Sequence, residues 1–119
     1  MTAAAVPTPR TRIDRVRASA GIVQLALQQI EDELQGEVGA QELAQILREL
    51  HHEDHRQDGV FGSLAQLLTV AGQAAERIEP DHDGEMSGPL HEAAALITDS
   101  AGLHTYYATR ALDPQGEAA

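Results

Sequence analysis

The 119-residue chain has no cysteine, which excludes disulfides, thiolate metal centres and cysteine nucleophiles. It has no tryptophan, one Phe and two Tyr, so any core must be built from Leu, Ile, Val and Ala. Lysine and asparagine are also missing, while Ala, Gly and Arg are plentiful. Both missing residues have AT-rich codons, and the bias is that of a GC-rich bacterial genome. No apolar run approaches the roughly 18 residues of a membrane span. The opening MTAAAVPTPRTR lacks the charged start and long apolar stretch of a secretory signal. The expectation is a soluble, cytoplasmic protein of one domain with no membrane contact.

Charge of one sign is also scarce. The net charge is −11. Residues 1–17 carry Arg10, Arg12, Arg15 and Arg17 against Asp14, a net of +3, and the remainder carries four Arg against eighteen acids, a net of −14. So acidic a body repels phosphate backbones. Nucleic acid is therefore expected only if the arginine arm touches it, and solvated cations on a short leader are the simpler account.

What is present is helical periodicity. Residues 1–11 form an expected flexible arm. Thr11 followed by Asp14 is the pattern of a capping box. Behind it Ile13, Val16, Ala20, Val23, Leu27, Ile30 and Leu34 advance in steps of three and four, an unbroken heptad. Gly36 and Gly39 end this helix. The second helix is expected from Ala40 to Gln57 on the stripe Leu43, Ile46, Leu47 and Leu50, with Asp58-Gly59 as its stop. The third is expected to start near Ser63, with Gln66 completing a capping box, and to carry Leu64, Leu67, Ala71, Ala74 and Ile78 to Glu79-Pro80. The fourth is expected to be capped by Ser87, with Pro89 in its first turn. It carries Leu90, Ala94, Ile97, Ala101, His104, Ala108 and Ala111 on one line and Ala93, Leu96, Leu103 and Tyr107 on a second. Residues 113–119 form an expected flexible tail. No segment alternates as a strand would. The pattern predicts an all-α fold, an up-down-up-down antiparallel four-helix bundle over residues 12–112.

Several groups of residues are candidates for chemistry. In His51-His52-Glu53-Asp54-His55, His51 and His55 would share one helix face and are candidate metal ligands. The HExxH motif is not matched, and Glu49 with His52 gives only one of the two Glu-x-x-His units of a di-iron bundle. A solvated helix end is the simpler account. The stretch from Glu79 to Ser87 resembles part of a calcium loop, but the twelfth position is Leu90 rather than a bidentate Glu. His104 is expected on the buried line of the fourth helix. There is no nucleophile elbow, phosphate loop or catalytic triad.

Three glycines interrupt long helices: Ala20-Gly21, Ala71-Gly72 and Ala101-Gly102. A mid-helix Gly costs about 1 kcal/mol relative to Ala. Repeating it three times points to a packing waist, close-packed or open to a small apolar ligand. The apolar width of the fourth helix makes Leu96, Leu103 and Tyr107 candidate interface residues. The expected function is non-enzymatic: a small helical interaction or adaptor protein, self-associating as a homodimer, with no cofactor. The alternatives are a metal-binding bundle using His51 and His55, a ligand-sensing bundle using the waist, and a DNA-associated accessory protein using the arginine arm.

Overall fold

The computed structural model describes residues 10–79, 81 and 83–116. Most of the predicted arm, the end of the predicted tail, Pro80 and His82 lie outside them. Among the described residues every regular element is helical, as predicted. In order these are α1 (Arg12–Leu34), α2 (Ala40–Leu50), α3 (Gly59–Ile78), α4 (Ser87–Leu96), a π-helical segment (Ile97–Gly102) and α5 (Leu103–Leu112). The last three are one continuous helix, so the described residues form the four helices expected of a four-helix bundle. No helix among the described residues is long and apolar enough to cross a membrane.

The chain divides into two compact units, Met1–Val38 and Gly39–Ala119. The first contains α1. Its predicted capping box is present. The Asp14 N–H donates to Thr11 Oγ1 at 3.1 Å, and the Thr11 N–H donates to Asp14 Oδ2 at 3.2 Å. None of the residues of α1 is buried.

In the second unit α3 packs along α4, and α2 packs against α5. His91 near the start of α4 meets Glu76 near the end of α3, as in a helical hairpin. The core is aliphatic and thin. Among the described residues the buried hydrophobic side chains are Ala44 and Ala94, while Leu43, Leu47, Phe61, Leu68 and Leu90 are half-buried around them.

Four local expectations are corrected. The second helix stops at Leu50, not Gln57, because His51 turns into an extended conformation, φ −145° and ψ 121°. The third helix starts at Gly59, and Asp58 rather than Ser63 precedes it. Gly59 has φ +84°, a left-handed turn that glycine adopts without strain. Ser87 is the first residue of α4 and not its cap. The capping acceptor is the buried Glu79, whose carboxylate takes the N–H groups of Gly84, Met86 and Ser87.

The fourth correction concerns register. The sequence pattern puts the buried line of the fourth helix at Ala101, His104, Ala108 and Ala111. All four are exposed, and Gly102, Thr105, Thr109 and Leu112 face inward instead. Each is one residue later. A π-helical turn holds an extra residue, so everything after it rotates by one position.

Candidate functional site

The histidine-rich stretch forms a loop, residues 51–58, between α2 and α3. The side chain of His51 is fully enclosed. Its Nε2 donates to Glu53 Oε2 at 2.7 Å, while Nδ1 is buried without a hydrogen-bond partner. Glu53 in turn accepts from Arg56 Nη2, and Arg56 Nη1 reaches Asp99 Oδ1 at 3.4 Å. The Arg56 guanidinium, followed by His51, holds the Glu53 carboxyl below the usual carboxylate range. This chain of contacts joins the loop to the π-helical segment, where Asp99 lies.

His51 rests on Gly102, the last residue of that segment. A Cβ at Gly102 would lie 2.5 Å from His51 Nδ1 and 2.6 Å from its Cε1. The same device recurs between α3 and α4. A Cβ at Gly72 would lie 2.6 Å from Cε1 of His91, whose Nε2 donates to Glu76 Oε1 at 2.7 Å. Two of the three glycines thus have the packing purpose inferred from their cost, but the object packed is a histidine ring. The waist is otherwise not as expected. Ala101 and Ala20 are exposed, Ala71 is half-buried, and a Cβ at Gly21 would meet nothing within 4 Å. A further close approach, absent from the expectation, is Gly62, where a Cβ would collide with the backbone of Arg56 and Gln57.

The expected metal pair loses its geometric basis. With the helix ended at Leu50, His51 and His55 do not share a helix face, and His55 is exposed while His51 is enclosed. Among the described residues no three His, Cys, Asp or Glu side chains are grouped to hold a metal ion. The calcium-like loop is also otherwise employed. Glu79 is committed to backbone N–H groups, and Asp83 Oδ1 accepts from the Glu85 N–H at 3.0 Å. His104 is not buried; its Nδ1 donates to the Ser100 carbonyl at 2.7 Å.

Between α3 and the helix formed by α4 and the π-helical segment there is an open groove of about 360 Å³, whose lining includes Arg56, Gln66, Thr69, His91 and Thr98. Gly62, Ala65, Ala94 and Ala95 also line it, and none of them belongs to the expected waist. The candidate interface residues Leu96 and Tyr107 are 54% and 56% exposed, and Leu103 is half-buried. Arg10, Arg12, Arg15 and Arg17 are all exposed, and Arg15 donates to the Arg10 carbonyl. On α3 the predicted core stripe is partly bare, with Leu64, Leu67 and Ile78 exposed. Comparison with family models, with curated proteins and with solved structures finds no match to this chain.

Proposed function

We propose that this is a non-enzymatic helical interaction protein that associates with itself through exposed apolar helix faces. The observation that carries this is the imbalance between buried and exposed apolar side chains. Among the described residues the buried hydrophobics are two alanines, whereas thirteen large apolar side chains, from Ile13 to Tyr107, are at least 43% exposed. Scattered surface leucines are ordinary, but contiguous apolar faces on several helices mark surfaces that another protein covers. The buried polar groups support the same reading. Glu79 holds backbone N–H groups, Thr109 donates to the Thr105 carbonyl and His51 is bound to Glu53. Each serves the fold.

Native mass spectrometry of the untagged chain tests this, because it reads subunit number and bound species together. The expected result is a metal-free dimer that grows with concentration. A chain that stays monomeric up to high micromolar concentration overturns self-association. One metal ion per chain overturns the cofactor-free interaction reading in favour of a metal-binding bundle.

A further inference from the structure

The charges of α1 are placed the wrong way round for a solitary helix. Arg12, Arg15 and Arg17 occupy its first two turns with Asp14 among them, residues 18–30 carry no charge, and Glu31, Asp32 and Glu33 fill its last turn. The helix dipole is positive at the N-terminus and negative at the C-terminus, so both clusters oppose it. Only Asp14 is placed favourably. Along the same helix runs the heptad stripe from Ile13 to Leu34, with no residue buried.

We propose that α1 pairs antiparallel with α1 of a second copy of this chain. This rests on the self-association proposed above and names its surface and geometry. Numbered from Ile13 as the first apolar heptad position, Arg12 and Glu33 flank the stripe on one side, and Arg17 and Glu31 flank it on the other. Flanking charges of this kind set partner and orientation in paired helices. In an antiparallel pair with Ile13 packed across from Ile30 of the second copy, Arg12 meets Glu33 of the second copy, and the basic end of each helix lies beside the acidic end of the other. In a parallel pair, Arg faces Arg and Glu faces Glu. The antiparallel arrangement also sets each helix's N-terminus beside the other's C-terminus, which relieves the clash with the dipole. The contact between Arg17 and Asp14, 3.9 Å and exposed at both ends, is too weak to withhold Arg17.

The rest of the molecule favours α1 as the meeting point. Residues 39–119 carry four Arg against fourteen acids, a net of −10, so two copies of that unit repel. Residues 12–34 carry three Arg against four acids, nearly neutral and sorted by end. Of the uncharged segment, Ala20 and Val23 are small enough to let two helices approach closely.

Charge reversal tests this on the full chain by sedimentation equilibrium. Arg12→Glu with Arg17→Glu is expected to weaken the dimer by roughly tenfold or more, since both Arg12–Glu33 pairs turn repulsive and the basic end of each helix becomes acidic beside the other's acidic end. The same change puts acids at the helix N-terminus, where the dipole favours them, so circular dichroism must show no loss of helix. Adding Glu31→Arg and Glu33→Arg to the same chain is expected to restore the dimer. Leu25→Gln, outside the stripe, is expected to leave it intact. A dimer indifferent to these reversals but lost with Leu67→Glu or Tyr107→Glu overturns α1 pairing and leaves self-association standing. A dimer that the quadruple variant fails to restore overturns the antiparallel geometry. A wild-type chain that is monomeric overturns both proposals.

Discussion

At the scale of single residues, the glycines separate into those that make room for a ring and one that does not. Gly102 faces an enclosed ring with no space to retreat. Gly102→Ala is therefore expected to destabilise the fold by about 1–3 kcal/mol, the usual cost of overpacking. His51→Ala in the same chain is expected to relieve part of that cost, giving a non-additive double-mutant cycle in urea unfolding; strict additivity would mean the ring and the glycine do not press on each other. Gly72 faces His91, whose ring is partly exposed and can swing away, so Gly72→Ala should be close to neutral. Gly21 meets nothing, and Gly21→Ala should stabilise α1 by up to about 1 kcal/mol through helix propensity alone. Glu79 gives a pH signature. The Ser87 hydroxyl and the N–H groups of Ser87, Gly84 and Met86 hold its carboxyl below its ordinary value of 4.5. A lowered folded value means its contribution is complete above the unfolded value and disappears as pH falls through the folded one. Glu79→Gln should thus lower the Tm at neutral pH, and the gap from wild type should close as the pH is taken below about 4.5. A gap of constant size down to pH about 3 would show that shape rather than charge makes Glu79 matter.

At the scale of elements, the parts of the fold legible in the sequence are those governed by neighbours in the chain. The Thr11–Asp14 box, the body of α1 and the start of α2 depend on residues three or four apart, and they are where periodicity puts them. The end of α2 is written in the apolar stripe, which stops at Leu50, but the eight polar residues after it contain no breaker before Gly59. The Glu79 cap is hidden because it acts on Ser87, eight residues away, whereas capping patterns are three residues long. The candidate metal pair depended on the same expected helix, since a spacing of four sets two side chains on one face only on a helix, and His51 and His55 lie beyond its end. The π-helical segment is illegible because one extra residue leaves the composition helical and changes only the register of α5. That extra residue has a testable consequence. Deleting Ser100 should convert the segment to ordinary α-helix while keeping Gly102, Thr105 and Thr109 facing inward, so cooperative unfolding should survive. Deleting Thr69 from the uninterrupted α3 rotates half a packed helix by about 100° and should abolish it. Equal damage from both deletions would mean that the π-turn itself, with Asp99 held to Arg56, is needed for the fold.

At the scale of the whole molecule, two electrostatic effects of opposite sign act on assembly, and their ranges decide which dominates. Each chain carries −11, so copies repel at a distance, while the arginine and glutamate clusters of α1 attract only at side-chain contact. The screening length is about 30 Å at 0.01 M salt and about 8 Å at 0.15 M. Raising salt across that interval removes the long-range repulsion first and leaves contacts of a few ångströms largely intact. The apolar seam is not weakened by salt in this range. The dimer is therefore expected to tighten from 0.01 M to about 0.15 M salt, and the thermal midpoint should rise with protein concentration at both, as mass action requires of a folded dimer. The charge-reversed chain Arg12→Glu with Arg17→Glu has a net charge four units more negative, so its association should respond to salt more steeply still. A dimer strongest at the lowest salt and loosening steadily as salt is added would show the opposite order of effects. Short-range ion pairs would then outweigh both the repulsion of the bodies and the apolar stripe of α1.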